Sequence, residues 1–336
     1  MRVPTILAAA AAVSLSAFVP AADAAETPAY GARLEGFEYP HPVHVHRFES
    51  QRQPVEMAYL DVPARGAANG RTVVLLHGKN FCAATWEATI ATLADAGFRV
   101  IAPDQIGFCK SSKPRDYQFS FQQLASNTAA LLNELGVSKA VVLGHSMGGM
   151  LALRYALMFP DGVEQVMVVN PIGLEDWQAK GVPYATLDAA YAAELKTGFD
   201  GIKAYQQRFY YNGDWKPEYE RWVNMLAGMY LGPGKEDVAW NQAQTSDMVF
   251  TQPVVHEFGR IRVPATLFIG GLDRTAPGAN RAPAELASTL GLYPELGRAA
   301  AAAIPNATLV EFPELGHSPQ VEAPAVFHAA LLKALN

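Results

Sequence analysis

The chain has 336 residues, half of them apolar, with a net charge of −6 and a pI near 5.8. This length is enough to bury one large core with a smaller appended unit. The balance is only mildly acidic, and the sequence contains no basic stripe and no run of like charges. These features argue against nucleic acid and anionic membrane surfaces as partners.

The N-terminus has the composition of a secretory signal peptide. Arg2 supplies a positive charge, residues 6–19 form an apolar stretch, and residues 22–24 (Ala-Asp-Ala) form a small-x-small cleavage site. The sequence therefore predicts a signal peptide at residues 1–24 and an exported mature protein, in the periplasm or otherwise secreted. The apolar stretch is too short for a stable membrane anchor, and no later segment is long and apolar enough to cross a bilayer.

The mature chain is predicted to begin with a lead-in and two edge strands. Residues 25–36 are small and polar, which predicts a mobile lead-in. Residues 41–48 and 54–62 alternate between apolar and polar side chains, as antiparallel edge strands do. His44 and His46 would share one strand face, a spacing found in metal sites. No third ligand is nearby in the sequence, so a solvated edge is the favoured interpretation.

Strands then alternate with helices. Short apolar runs predict six further strands, at residues 72–76, 97–102, 140–143, 163–169, 265–269 and 307–312, and helical periodicity marks residues 121–135 and 325–335. This alternation predicts an α/β protein with a mostly parallel, doubly wound sheet of about eight strands. Ligands of such sheets bind beyond the carboxyl ends of the strands.

The alternation stops between residues 172 and 252. This segment is helical and aromatic, and it holds four of the five tryptophans. Because it lies between two predicted strands, we expect a helical cap inserted into a core formed by residues 25–171 and 253–336. Most of its aromatic side chains should form the cap's own core, and some should line a pocket.

A strand-to-helix turn, Gly144-His145-Ser146-Met147-Gly148, follows the strand at residues 140–143 and has the pattern of a nucleophile elbow. Such a turn is tight, and the residues two positions from its centre approach each other too closely for side chains, which explains the two glycines. The turn would raise the Ser146 hydroxyl above the sheet. It would also direct the N–H group of Met147 at an incoming oxyanion.

Two later strand ends supply the partners that a serine nucleophile needs. Asp273 follows the strand at 265–269, and His317 follows the last strand, which completes the order Ser, Asp, His. His317 would accept the proton of Ser146, and Asp273 would hold the imidazole in the required tautomer. Glu175 and Asp176 follow another strand and are the alternative acids.

Other polar residues at strand ends have structural interpretations. Asp104 precedes the elbow and should hold its own loop, His77 should brace the loop that follows its strand, and His145 should pack away from the nucleophile. The second oxyanion donor should be the backbone N–H of Lys79 or of Asn80. The Lys79 side chain could attract an anionic substrate, but a solvent-facing lysine is the simpler interpretation.

The chain has two cysteines, Cys82 and Cys109. Both follow the carboxyl ends of strands that should be neighbours, and an oxidising compartment would allow a disulfide between them. Two free thiols are the alternative.

Together these motifs resemble the α/β-hydrolase fold superfamily. The resemblance covers residues 37–336 and rests on His77-Gly78, the elbow, Gly271-Leu-Asp273 and Gly316-His317 in the family's order, with a cap where the family inserts one. The stretch from Asp104 to Ser111 and the single helical cap are similar to the branch with haloalkane dehalogenases, epoxide hydrolases and small carboxylesterases. The first two groups use an aspartate nucleophile, whereas this chain has Ser146. Cys109 replaces a glycine that is usual in that branch, and a disulfide would explain the replacement.

The resemblance and the site imply a serine hydrolase that cleaves carboxylic esters of small to medium hydrophobic substrates, as a monomer or homodimer, with no metal or organic cofactor. A lactonase is the nearest alternative, because lactones are cyclic esters. An aminopeptidase acting on N-terminal proline would need carboxylates in the cap, and Glu194, Glu218 and Glu220 are available. A perhydrolase or cofactor-free peroxidase, and a non-catalytic binder of small ligands, are further alternatives on the same fold.

Overall fold

The computed structural model describes residue 1 and residues 27–336. Its strands are β1 (Val43–Ser50), β2 (Gln53–Val62), β3 (Thr72–Leu76), β4 (Arg99–Pro103), β5 (Ala140–His145), β6 (Val163–Val169), β7 (Ala265–Gly270) and β8 (Ala307–Phe312). They form one sheet in the order β1-β2-β4-β3-β5-β6-β7-β8. β1 pairs with β2 and β2 with β4 in antiparallel fashion, and the remaining neighbours are parallel. The predicted α/β class and the mostly parallel sheet are therefore confirmed.

Helices cover both faces of the sheet. The α-helices in the described residues are α1 (Glu87–Asp95), α2 (Phe121–Glu134), α3 (Met147–Met158), α4 (Leu187–Glu194), α5 (Phe199–Tyr205), α6 (Glu220–Leu231), α7 (Lys235–Thr251), α8 (Ala284–Ser288), α9 (Tyr293–Ala303), α10 (Pro319–Glu322) and α11 (Pro324–Leu335). α1 and α11 pack on one face, and α2, α3 and α9 pack on the other. Every residue of β5 and of β7 is buried as a result, which explains why these strands are continuous apolar runs.

The segment before β1 packs against the rest of the protein. The prediction of a mobile lead-in at residues 25–36 is therefore wrong for residues 27–36, which the structure describes. Leu34 is fully buried, and the N–H of Tyr30 donates to the carbonyl oxygen of Gly228 in α6 at 2.8 Å. A Cβ atom on Gly228 would collide with the Tyr30 ring, so the glycine allows the two segments to approach closely. Composition did not reveal this, because a few residues among many small polar ones make the contacts.

The segment between β6 and β7 contains α4 to α7 and, within residues 172–252, no strand. α4 packs on α7, and α5 packs on α6. Several of its aromatic side chains form an internal core, in which the rings of Tyr211 and Tyr219 stack with centroids 3.7 Å apart. We refer to residues 172–252 as the insertion.

The predicted signal peptide lies outside the described residues apart from Met1. Within the part of the chain that the structure describes, none of the helices combines the length and apolar character that a membrane span requires.

One buried histidine should make the free energy of unfolding depend on pH. His328 of α11 lies between the hydroxyls of Thr89 and Thr92 at 3.0 and 3.1 Å, and burial lowers its pKa from 6.5 to about 4. Between pH 6.5 and about 4, His328 is protonated in the unfolded chain but stays neutral in the folded protein. The free energy of unfolding should therefore fall as the pH drops from 6.5 towards 4, by up to about 3 kcal/mol from this residue.

Urea unfolding of the wild type and of His328→Gln across this pH range measures the effect. The glutamine does not titrate, so its unfolding free energy should depend less steeply on pH. Equal slopes for the two proteins would contradict the prediction. The comparison between variants is needed because burial also lowers the pKa of His77 and of His145.

Candidate active site

Ser146 lies in the turn between β5 and α3, and its backbone is in an uncommon conformation (φ 56°, ψ −119°). A Cβ atom on Gly144 would meet the backbone of Gly148. A Cβ atom on Gly148 would in turn meet the carbonyl groups that end β3. Both glycines are therefore required by close approach, and the turn holds Ser146 at the carboxyl edge of the sheet in the geometry of a nucleophile elbow.

His317 and Asp273 meet at the same edge. They lie on the loops after β8 and β7, and His317 Nδ1 is 2.6 Å from Asp273 Oδ2, with both side chains fully buried. The carboxylate also accepts hydrogen bonds from Asn170 Nδ2 at 2.7 Å and from the backbone N–H of Thr275 at 2.8 Å. Three donors hold Asp273 in place, and Asp273 in turn fixes the imidazole with its proton on Nδ1.

The other imidazole nitrogen is available to accept a proton. His317 Nε2 is buried and has no hydrogen-bond partner among the residues that the structure describes. A buried polar atom without a partner is uncommon and needs an explanation, which a role in catalysis would supply. Hydrogen bonds between a catalytic base and its nucleophile often form only when substrate is bound. Ser146 itself is 4% exposed and lines a cavity.

Two predicted oxyanion donors lie next to Ser146. Met147 begins α3, and Lys79 follows β3 in a loop whose Gly78 lies so near Ser146 that an added Cβ would be 3.1 Å from the serine Cβ. Among the described residues, the N–H groups of Met147, Lys79 and Asn80 donate to no other backbone group. They are therefore the candidate donors for the oxyanion site that the sequence predicts.

The Lys79 side chain is not solvent-facing, contrary to our expectation. Its Nζ donates to Gln242 Oε1 at 2.7 Å and lies 3.4 Å from Glu194 Oε1, and the side chain is 19% exposed. Both partners belong to the insertion, so Lys79 connects the loop after β3 to helices α4 and α7. Helices far apart in the sequence supply these partners, and no local pattern at Lys79 revealed them.

The cavity at Ser146, which we call the Ser146 cavity, has a volume of about 380 Å³. The insertion supplies much of its wall, including the aromatic side chains of Tyr205, Tyr210 and Phe250. These three are among the cap aromatics that the sequence could not assign. A concave site of this size suits a small ligand.

The other carboxylates at strand ends lie elsewhere. Asp104 is buried and accepts hydrogen bonds from Tyr39 Oη at 2.7 Å and from the N–H of Ala83 at 2.8 Å, so it holds its loop as predicted. Glu175 binds Lys180 Nζ at 2.6 Å, and Asp176 lies 2.8 Å from His256 Nε2. Neither alternative acid contacts His317.

The carboxylates proposed for an aminopeptidase are also separated. Glu194 lines the Ser146 cavity, but its two oxygens already face Lys79 and the Tyr230 hydroxyl, the latter at 2.5 Å. Glu218 and Glu220 do not line that cavity. A substrate ammonium group would therefore have to compete with Lys79 for a single carboxylate.

Two histidines beside the site are structural. His77 Nε2 accepts from the N–H of Gln105 at 3.0 Å and so braces its loop as predicted. The His145 ring stacks on Phe81, and its Nε2 donates to the carbonyl oxygen of His317 at 2.9 Å. Burial holds the pKa of His145 well below its usual value, so the ring is neutral. It packs as predicted and in addition supports the loop of His317.

Sequence reasoning missed two residues that organise the site. Asn170 directly follows β6 and connects Asp273 to the N–H of Gly270, and its place after a strand was the available signal. Tyr210 of the insertion lies against the His317 ring, with centroids 4.9 Å apart, and its hydroxyl accepts from Asn80 Nδ2 at 3.0 Å. Nothing in the sequence distinguished Tyr210 from its aromatic neighbours.

Cys82 and Cys109 are joined by a disulfide, with Cα atoms 5.9 Å apart. Cys109 has a φ of 47°, a conformation that favours glycine. In the described part of the chain, the one cluster of three potential metal ligands is this pair with Asp104, and the disulfide occupies both sulfur atoms. His44 and His46 instead stack on Tyr59 and Phe48.

The chain belongs to the α/β hydrolase fold family, whose sequence pattern matches residues 71–324. A probable hydrolytic enzyme from Pseudomonas aeruginosa PAO1, known from its crystal structure, is 62% identical, with a TM-score of 0.91 over 92% of this chain and 99% of that one. Both its sequence and its fold therefore resemble this protein throughout.

More distant relatives share the fold or a part of the sequence. An esterase from Exiguobacterium antarcticum is 19% identical, with a TM-score of 0.67 over 84% of this chain and 96% of that one. Bifunctional epoxide hydrolase 2 of Sus scrofa is 39% identical over 103 residues, which are 30% of this chain and 19% of that protein. The chain spans less than two thirds of the length of the curated relatives that it matches.

Proposed function

We propose that this protein is a serine hydrolase that cleaves carboxylic esters through an acyl-enzyme. The observation that carries the proposal is a serine at a nucleophile elbow beside a buried His317–Asp273 pair whose Nε2 has no partner among the described residues. In this reading Ser146 is the nucleophile, His317 the general acid and base, and Asp273 the residue that orients the imidazole.

The chemistry follows from these positions. His317 Nε2 takes the proton of Ser146 as the hydroxyl oxygen attacks the ester carbonyl, and the N–H groups of Met147 and Lys79 stabilise the oxyanion. The protonated imidazole then returns the proton to the departing alcohol, which leaves an acyl-enzyme. Water, activated by the same nitrogen, releases the acid and restores Ser146.

The substrate class follows from the nucleophile and the cavity. A serine forms an acyl-enzyme that water can hydrolyse, which favours esters over the halides and epoxides that relatives with an aspartate nucleophile accept. The volume of about 380 Å³ supports a small to medium substrate, and the rings of Tyr205, Tyr210 and Phe250 support apolar groups on it, whereas polar side chains line the rest of the Ser146 cavity. A lactone would be opened by the same steps.

The proposed role of the insertion is that of a cap, and the proposed location is outside the cytoplasm. The insertion supports the first role because it forms the wall of the cavity over the carboxyl ends of the strands. The disulfide and the signal-like N-terminus support export, with the periplasm as the proposed compartment.

A fluorophosphonate probe, which reacts with activated serines, tests the proposal. We expect the wild type to be labelled and to hydrolyse p-nitrophenyl esters. Ser146→Ala should lose the label and at least about 10⁴-fold in kcat. Ser246→Ala is the matched control, because Ser246 lines the same cavity but lies in α7, and its labelling should persist.

The substrate panel should include lactones beside open-chain esters, because the proposed steps act on both. An absence of labelling together with an absence of turnover in the wild type would refute the enzyme and favour a non-catalytic binder. Labelling that survives Ser146→Ala would place the nucleophile elsewhere.

A further inference from the structure

The loop that follows β7 forms part of the wall of the Ser146 cavity. Beyond Asp273, its residues in this wall are Thr275, Pro277, Gly278, Asn280 and Arg281. The proposed chemistry uses Asp273 but none of these later residues. They therefore line the space that a substrate would enter without taking part in the acyl-enzyme steps.

The Arg281 side chain is exposed, but the insertion and its own loop hold it in place. Its Nε donates to the carbonyl oxygen of Pro183 at 2.9 Å, and its guanidinium carbon lies 5.0 Å from the centre of the Phe250 ring. The guanidinium also lies so near Gly278 that a Cβ atom added there would be 2.6 Å from Nη2. A long side chain loses conformational entropy when it binds an anion, and these contacts have already restricted Arg281.

Three charged side chains line the Ser146 cavity, and Arg281 is the one without a counter-ion among the described residues. Lys79 faces the Glu194 carboxylate at 3.4 Å and donates to Gln242, so its charge is offset. Partial burial lowers the pKa of Arg281, and no neighbouring acid opposes that effect. A guanidinium nevertheless stays protonated in proteins. The cavity wall therefore carries one uncompensated positive charge.

Unused hydrogen-bonding groups accompany this charge. Of the nitrogens in the Arg281 side chain, only Nε donates to an acceptor in the described part of the chain, so Nη1 and Nη2 are available. Thr275 of the same wall is buried, and its Oγ1 has no hydrogen-bond partner in that part of the chain. A buried polar atom without a partner needs an explanation, and a polar group on a ligand would supply one.

We propose that Arg281 is a specificity-determining residue of the Ser146 cavity, which binds a carboxylate group carried by the ester substrate. A planar guanidinium suits a carboxylate, because two parallel N–H groups can bind its two oxygens. The single uncompensated charge matches a group with one negative charge. The inference rests on the proposed function, because it names the substrate class of the same site: esters with a carboxylate on the acyl or the alcohol side.

Pairs of esters that differ in one charge test this assignment. The monoethyl esters of succinate, adipate and suberate carry a carboxylate on acyl chains of increasing length, and 4-acetoxybutanoate carries one on the alcohol side. Each is compared with the ester in which a carboxamide, which is neutral and of similar shape, replaces the carboxylate. In at least one pair, kcat/KM of the wild type should be about fivefold higher for the carboxylate ester.

Arg281→Gln should bring this ratio close to one. The change should appear mainly in KM, because the carboxylate is bound alike in the ground state and the transition state. A variant that merely disturbed the insertion would slow both esters of a pair and leave the ratio unchanged.

Arg298→Gln is the matched control. It removes the same charge from an exposed arginine that pairs with Glu311 at 2.8 Å and does not line the Ser146 cavity, so the ratio should persist. A wild-type ratio near one in every pair would overturn the proposal. An unchanged ratio in Arg281→Gln, or an equal loss in Arg298→Gln, would overturn it as well.

Binding separates a failure of this assignment from a failure of the proposed function. Calorimetry with the Ser146→Ala variant requires no turnover, and it should show tighter binding of the carboxylate ester than of its carboxamide partner. Adding Arg281→Gln should remove the difference. If the wild type hydrolyses none of these esters, the proposed function fails. The difference in binding would still support the role of Arg281, and equal binding of the two esters would refute it.

Discussion

Asp273→Asn is expected to lower kcat for ester hydrolysis about 10⁴-fold and to change KM only slightly. In the native site the Asp273 carboxylate accepts from His317 Nδ1 at 2.6 Å, so the lone pair of the imidazole is on Nε2. An asparagine amide can donate to Nδ1 instead, which moves the imidazole proton to Nε2. That nitrogen could then no longer accept the proton of Ser146. Steady-state kinetics with a p-nitrophenyl ester measures both constants.

Asp176→Asn is the matched control, since it makes the same chemical change at a carboxylate that the sequence offered as an alternative acid. Asp176 pairs with the exposed His256 rather than with His317, so kcat should stay near the wild-type value. A large loss in Asp176→Asn, or a small one in Asp273→Asn, would contradict the assignment of the acid. Circular dichroism of both variants would show whether the fold is retained.

Removal of the disulfide should have the largest effect on stability. The bond between Cys82 and Cys109 closes a loop with a sequence separation of 27 residues. By loop-closure entropy, the double variant Cys82→Ala/Cys109→Ala should lose about 3–4 kcal/mol of unfolding free energy. Chemical denaturation of the oxidised wild type, the reduced wild type and the variant measures this loss.

Backbone geometry refines that prediction. Cys109 has a φ of 47°, which is unfavourable for a residue with a Cβ atom and easy for glycine. Cys82→Ala/Cys109→Gly should therefore be about 1 kcal/mol more stable than Cys82→Ala/Cys109→Ala, although neither variant has the disulfide. If the glycine variant were the less stable of the two, this account of position 109 would be wrong. If both matched the oxidised wild type, the disulfide would contribute nothing to stability.

Much of the sheet could be predicted because its signals are local. Continuous apolar runs mark β5 and β7, which are buried on both faces, and alternation marks β2, which lies near the edge. The turn at Ser146 was predictable because its pattern of residues lies within five positions of the chain, although the close approach that requires Gly148 is to the carbonyl groups of Leu76 and His77. The lead-in was predicted wrongly because a few contacts from Tyr30 and Leu34 outweigh the polar composition around them.

The side-chain contacts of the site could not be predicted in this way, because they join residues that are far apart in the sequence. Asn170 binds Asp273 across 103 positions of the chain, and Lys79 binds Gln242 across 163. Hydrogen bonds over such separations depend on which strands become neighbours and on where the insertion packs. Neither periodicity nor turn chemistry carries that information. Tyr210 is the clearest case, because only packing distinguishes its contact with His317 from the contacts of the other cap aromatics.

The sequence by itself determined the eight strands along the chain, the pattern of the turn at Ser146, and the residues that follow the strands, whereas helices such as α1 and α9 were not predicted. Each of these depends on interactions between residues near one another along the chain. Only the tertiary structure decided that Asp273 rather than Asp176 meets His317 and that Lys79 turns to the insertion. These features depend on distances between distant segments, which are set only when the sheet assembles and the insertion packs over its edge.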